Sequence, residues 1–516
     1  MRLRLFLVAW ILFGVHFATN VVREHYPAFA LTSRGDFFLD EYAGFHADIY
    51  FHPVTKHWVV GNQVLGSLPA AAALLVFDPL LDALERWEKE HWRERTRDAE
   101  YATDLPNRVA FFRVVRDRGL LLRFAASAAI TSLFVMAPLG AALVVAMYGV
   151  LARRGVPDSR ALGLALLFGF GTPIFYRTAH LVHNMFLLAA VFWSFLLLWR
   201  APGERSPHPP RRAFLAGLLA GACLALDYAG GIALAALGLY LALPRWREAG
   251  FAAALRESLP FALGTLAPIA FLLATQAWMY GDPFTPGQLH QQENEFTGRG
   301  MRGIDWPSFE VFWRNLFDPS FGLIPWAPFL ALAFIPARLL RGDPERWILP
   351  RRERRFAVAF SAAFLGFCAM NQFSLLQWNT GFRYLLPLVP FLFLMAADWL
   401  ARAPRALLLA IALPSIAHAW VLAMRRFQQP NSGYAGDAVP LVNWSEILTH
   451  GPQLPWLTVL RQTVSDPASP LHWPIWPTLI LAFAFATCWG IWRAGERASL
   501  LTARSAVPSA SRSPSA

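Results

Sequence analysis

Lysine is almost missing from this chain of 516 residues: Lys56 and Lys89 are the only two among 46 basic side chains. A GC-rich genome writes arginine where others write lysine, so the abundance of arginine carries no functional weight. Cysteine is equally scarce. Cys223, Cys368 and Cys488 all lie inside apolar stretches, which points away from a disulfide framework and from a thiolate metal site. Charged residues make up only 16% of the chain against 56% hydrophobic ones, a balance that excludes a large soluble protein. Much of the net charge of +12 sits beside the apolar runs. Membrane orientation explains it there, and nucleic acid is not an expected partner.

Long apolar runs are what the chain has instead. A helix needs about 20 apolar residues to cross the hydrocarbon core. The pattern predicts spanning helices at 4–21, 120–151, 161–178, 182–199, 213–227, 229–243, 259–278, 323–338, 356–373, 384–400, 405–424 and 474–492, about twelve in all. The expected fold is an all-α polytopic membrane protein. Residues 1–492 form its membrane domain, and 493–516, rich in Ser, Ala, Pro and Arg, form a disordered cytoplasmic tail. No small-x-small cleavage site follows the run from Leu5 to Thr19, so that run is expected to remain as the first span.

Alternate loops are packed with arginine. Arg153, Arg154 and Arg160 follow one span, Arg200, Arg205, Arg211 and Arg212 another, and Arg245, Arg247 and Arg256 a third. The run from Arg338 to Arg355 is the fourth such loop. Short basic loops resist translocation, which makes these cytoplasmic, puts both termini inside, and fits a bacterial-type inner membrane. The run 64–84 is apolar enough to span but carries Pro69, Asp78, Pro79 and Asp82. Counting it as a span would invert every later basic loop. It is therefore expected to lie on the outer membrane surface, inside a long first extracytoplasmic loop over 20–119 that contains interfacial helices.

The outer side then holds most of the polar side chains with chemical potential. Arg23, Glu24, His25, Asp40, Glu41 and Asp48 belong to the first loop, and Arg177, His183, Asp227, His290 and Arg383 to later span ends or loops. His25, His46, His52, His57, His180, His183 and His290 all face outward, which leaves a divalent metal conceivable, yet none forms a helical His-x-x-x-His pair with an acid between. No metal ligand set is assigned, and no other cofactor is implied. The stretch from His290 to Glu295 reads as a polar lid.

After the first span come Thr19-Asn20-Val21-Val22-Arg23-Glu24-His25-Tyr26, then Gly35-Asp36 and Asp40-Glu41-Tyr42. Further on stand Gly171-Thr172-Pro173 with Tyr176 and His183, and Gly381-Phe382-Arg383-Tyr384-Leu385-Leu386-Pro387. With these landmarks the chain resembles the polytopic GT-C fold glycosyltransferases, including aminoarabinose transferases and protein O-mannosyltransferase-like enzymes. The likeness is diffuse and runs over most of the chain. It implies transfer of a sugar from a polyprenyl-phosphate carrier to a lipid, glycan or protein acceptor on the outer face.

Members of that group have an acid pair just beyond the first helix. Aligned on Arg23 and Gly35-Asp36, that pair falls here on Asn20 and Val21, and the expected lysine-proline falls on Asn62-Gln63. An amide cannot take the acceptor's proton. The resemblance therefore implies another carboxylate as base: Glu24 first, one helical turn beyond Asn20, then Asp40, Glu41 and Asp48. Arg23, Arg177 and Arg383 would neutralise the phosphate. Asn20, His25, Asn62, Gln63, His183, Asp227, His290 and Tyr384 complete the expected substrate-binding set. Two other readings stand beside this one. One is a lipid or solute transporter or flippase, for which Asp227 is the most compatible residue; the other is a catalytically degenerate relative that binds carrier lipid.

Overall fold

The computed structural model describes residues 1–19, 21–46, 48–92, 106–200, 209–291, 293, 297–375, 382–424, 440–462 and 468–505. The chain is mostly helical. Its helices are α1 (Arg2–Val15), α2 (His25–Arg34), α3 (Leu68–Trp87), α4 (Pro106–Asp117), α5 (Leu121–Thr131) and α6 (Ala137–Arg153). There follow α7 (Asp158–Phe170), α8 (Pro173–Arg177), α9 (His183–Leu198), α10 (Pro210–Leu226), α11 (Gly230–Ala249) and α12 (Phe251–Tyr280). The rest are α13 (Phe309–Phe317), α14 (Leu323–Trp326), α15 (Arg351–Met370), α16 (Val389–Leu400), α17 (Arg405–Met424), α18 (Pro440–His450), α19 (Pro455–Gln462) and α20 (Trp476–Ser505).

Among the described residues, five helical stretches are long and apolar enough to cross a membrane: Leu65–His91, Leu121–Arg153, Phe251–Tyr280, Arg405–Met424 and Trp476–Glu496. Two shorter apolar helices, His183–Leu198 and Leu386–Leu400, are packed inside the bundle. This is a membrane protein by the length and composition of its helices.

Small residues let the backbones close up. A Cβ added to Gly217 would stand 1.9 Å from the Phe261 carbonyl oxygen, and one added to Gly264 would stand 2.1 Å from that of Phe214. Helices α10 and α12 therefore meet backbone to backbone, the contact available where no hydrophobic effect drives helices together. Elsewhere aromatic rings fill the core: Phe195 stacks on Phe356 at 5.0 Å, and Phe391 meets Phe195 and Phe360, each at 5.3 Å.

The arginine-rich helix ends converge on one end of this bundle. Arg154 donates to the Trp347 carbonyl at 2.7 Å, and Arg352 to the Tyr240 carbonyl at 2.9 Å. Asp398 is fully buried between Arg354 (2.6 Å) and Arg402 (3.0 Å) and also accepts from the Ile348 amide. Glu257 pairs with Arg200 and Arg245, and Arg160 donates to the Ala401 carbonyl.

Several expected elements differ. Residues 323–338 are not one helix: α14 ends at Trp326, and a 3-10 helix over Pro328–Phe334 follows. Pro325, Pro328 and Pro336 explain this, since each lacks the amide hydrogen that a continuous helix needs. The span expected at 161–178 is interrupted at Gly171-Thr172, where Pro173 starts α8. A β-hairpin lies in the first loop, β1 (Ile49–His52) paired antiparallel with β2 (His57–Val60), and no helix pattern announced it.

Candidate functional site

At the opposite end of the bundle from the arginines, four helix ends and one loop bring charged side chains together. α1 stops at Val15, and Val22-Arg23-Glu24 leads into α2, whose N-cap is Glu24. Extended backbone at Val182 sets His183 at the first position of α9. Asp227 ends α10 in extended conformation, and its Oδ1 accepts from the Ala229 amide at 2.9 Å, turning the chain into α11.

His183 sits between two acids. Its Nδ1 is 2.6 Å from Glu24 Oε1 and its Nε2 is 3.3 Å from Asp227 Oδ2. A ring with a carboxylate at each nitrogen donates from both, so this geometry assigns His183 as an imidazolium. Arg23 reaches Glu24 Oε1 at 3.4 Å through Nε and Asp48 Oδ2 at 3.1 Å through Nη1. Asp48, whose backbone amide donates to His46 Nδ1 at 3.0 Å, stands just before β1. Arg383 lies over the Tyr384 ring at 5.1 Å and within electrostatic reach of His46 and Asp48. The Tyr384 phenol in turn feels Arg23, Asp227 and Asp48.

Burial alone would raise the Glu24 pKa. The Arg23 guanidinium and the His183 hydrogen bond outweigh it and hold the carboxyl well below the usual carboxylate range. Asp48 is likewise held down by His46 and Arg23 against the upward pull of burial. Three cations (Arg23, His183, Arg383) thus face three anions (Glu24, Asp48, Asp227). Asp48 is the most open of the acids, with 31% of its side chain exposed against 8% for Glu24.

The structure brings together Arg23, Glu24, Asp48, His183, Asp227, Arg383 and Tyr384 out of the expected set. Gly66 belongs with them, since a Cβ there would stand 3.0 Å from His183 Cβ. Nothing in the sequence marked Gly66. Gln63 faces the Tyr228 phenol beside Asp227, and Asn62 is half-buried next to it. Arg177 is buried behind the cluster, where its Nε donates to the Phe382 carbonyl at 3.2 Å. That bond joins the Gly-Thr-Pro landmark to the Phe-Arg-Tyr one.

Other candidates stand apart. His25 turns into the core, its Nε2 2.9 Å from Thr131 Oγ1, and burial pushes its pKa down to about 4. Asp40 is exposed and paired with His57 at 2.8 Å, and Glu41 is exposed and pairs with Arg34. His290 meets the His52 ring at 4.5 Å, on the far side of the hairpin. Its neighbour Gln291 packs on Gly61. Asn20, Gln292, Asn294 and Glu295 lie outside the described residues. Among the described residues no three His, Cys, Asp or Glu side chains are arranged to hold a metal ion.

No protein-family model matches this chain, and neither does any curated protein or solved structure.

Proposed function

We propose that the chain is a membrane glycosyltransferase of the GT-C kind, moving a sugar from a polyprenyl-phosphate carrier to an envelope acceptor on the outer face of an inner membrane. The observation that carries this reading is the cluster of Arg23, Glu24, Asp48, His183, Asp227 and Arg383 at the helix ends opposite the arginine-rich ones. A transporter would be better served by charges near the middle of the bundle, where alternating access operates.

The topology that suits this reading has about twelve crossings and both termini inside. The continuous run from Leu121 to Arg153 has 33 residues. Thr131 and Ser132 stand at the level of the cluster, since Thr131 holds His25 and Ser132 donates to the Ala179 carbonyl at 2.9 Å. From there to Arg153 is about 30 Å of helix, enough to cross the hydrocarbon. α5 and its partner α3 then lie beyond the cluster, and α3 rests on the outer side. Glu88, just past α3, supports that pairing by accepting from the Leu121 and Leu122 amides at 3.1 and 2.7 Å.

Chemically, an acceptor hydroxyl oxygen attacks the anomeric carbon as the bond from that carbon to the phosphate oxygen breaks. The electron pair leaves on the phosphate, and the hydroxyl proton passes to Glu24. Arg23 and Arg383 neutralise the extra phosphate charge. The incoming phosphate takes the place of Asp48 on Arg23. Drawing Arg23 away from Glu24 raises the basicity of that carboxylate at the moment it is needed.

Vesicles carrying the purified protein test this. Polyprenyl-phosphate-linked labelled sugar should be consumed and its label found on an envelope acceptor. Counterflow of the donor across the vesicle, with no label transferred, would favour the transporter instead.

A further inference from the structure

A row of aromatic rings on α13 is left facing outward. Phe309, Trp313 and Phe317 follow one another at four-residue spacing and are 74%, 51% and 40% exposed. Their rings lie against one another, Phe309 to Trp313 at 6.1 Å and Trp313 to Phe317 at 4.3 Å. Trp306, just before the helix, is 86% exposed. The opposite side of α13 is fastened to the protein. Val311, Asn315 and Leu316 are buried, and Asn315 Nδ2 donates to Ser374 Oγ at 2.8 Å. The rigid backing means that the ridge does not fold inward to hide itself, and an apolar ridge held out in this way marks a contact surface.

Its position decides what the surface meets. The Ser308 amide donates to the Ala369 carbonyl at 3.0 Å and the Asp305 amide to the Met370 carbonyl at 2.9 Å, so α13 sits where α15 ends. α15 runs to that point from the arginine end of the bundle, with Arg352 and Arg354 in its first turn. The ridge therefore stands at the opposite boundary, the level at which Trp and Phe partition between headgroups and acyl chains.

We propose that α13 is an interfacial helix that lies in the outer leaflet, with Phe309, Trp313 and Phe317 entering the boundary between headgroups and chains and Trp306 flanking them. The occupant of the ridge is the lipid surface itself. Charge does not drive the contact: Asp305, Glu310 and Asp318 balance Arg299, Arg302 and Arg314 around it. The inference rests on the membrane character of the chain and not on the sugar-transfer reading.

A nitroxide on Trp313→Cys tests it, in full-length protein with the three buried native cysteines changed to alanine, reconstituted in phosphatidylethanolamine vesicles with and without phosphatidylglycerol. The label should relax with oxygen more than with a water-soluble nickel complex, at a depth of about 5–10 Å below the headgroups. That depth should not change with the anionic lipid. Preferential access to the nickel complex would place the ridge in water and overturn the proposal. Exclusion of both reagents would mean that protein covers the ridge, and would overturn it equally. Phe309→Cys and Phe317→Cys give the same readout should Trp313→Cys fail to fold.

Discussion

Glu24 and His183 are 159 positions apart in the chain, yet Glu24 Oε1 and His183 Nδ1 are 2.6 Å apart. Asp227 faces the other nitrogen of the same ring at 3.3 Å. The histidine is thus a fixed cation that orients one carboxylate and is itself oriented by the other. Asp227 therefore acts through His183.

That division gives different outcomes for the two partners. His183→Ala leaves the buried Glu24 and the half-buried Asp227 carboxylates without the cation between them, and breaking a buried pair costs about 3–5 kcal/mol. Asp227→Asn keeps the Glu24–His183 contact and should destabilise less while still slowing transfer. Thermal inactivation half-lives in detergent order them: wild type longest, Asp227→Asn between, His183→Ala shortest. The reverse order of the two variants would contradict the relay.

Asp48 holds Arg23 at 3.1 Å, and in the proposed mechanism the donor phosphate must displace it there. Asp48→Asn should therefore lower KM for the carrier-linked donor several-fold, at roughly unchanged kcat. A fall in kcat with unchanged KM would move the role of base from Glu24 to Asp48.

His25 should give the protein an acid-sensitive step unrelated to chemistry. Its folded pKa lies below its ordinary value, so the unfolded chain binds the extra proton first. Stability from this group is complete above its ordinary pKa of 6.5 and falls as pH drops toward about 4. The loss amounts to about 3 kcal/mol at most. His25→Gln should flatten the dependence of thermal inactivation on pH in that window, and an unchanged slope would show that other groups cause it.

Orientation can be read with impermeant thiol reagents, because the native cysteines are all buried. A cysteine replacing Phe284 (77% exposed) should label from outside intact cells, and one replacing Arg346 (89% exposed) should not. Labelling of position 346 from outside would reverse the arrangement.

The sequence made some of this legible and not the rest. Arginine alternation marked the helix ends that meet around Asp398 and Glu257, because charge in short loops is a local signal. The break at Asp227 was equally local, a charge between two apolar runs. The approach of Glu24 to His183 was not legible, since it depends on how α2 and α9 pack and no short-range pattern encodes that. The hairpin turn passes through Lys56 at φ +63°, where a glycine or asparagine would have advertised it. Asp40 and Glu41 looked as well placed as Glu24 in one dimension, and only the fold turns them toward His57 and Arg34.

The central claim, that Glu24 removes the acceptor proton at this cluster, is tested most directly by donor turnover in vesicles. The release of free polyprenyl phosphate from the labelled donor would be measured for wild type, Glu24→Gln and Asp40→Asn. Glu24→Gln should lower the rate by about 10²–10⁴-fold, the usual loss for a positioned base, while carrier lipid still binds through Arg23 and Arg383. Asp40→Asn, which alters an exposed pair, should stay close to wild type. Turnover by Glu24→Gln at the wild-type rate would contradict the account.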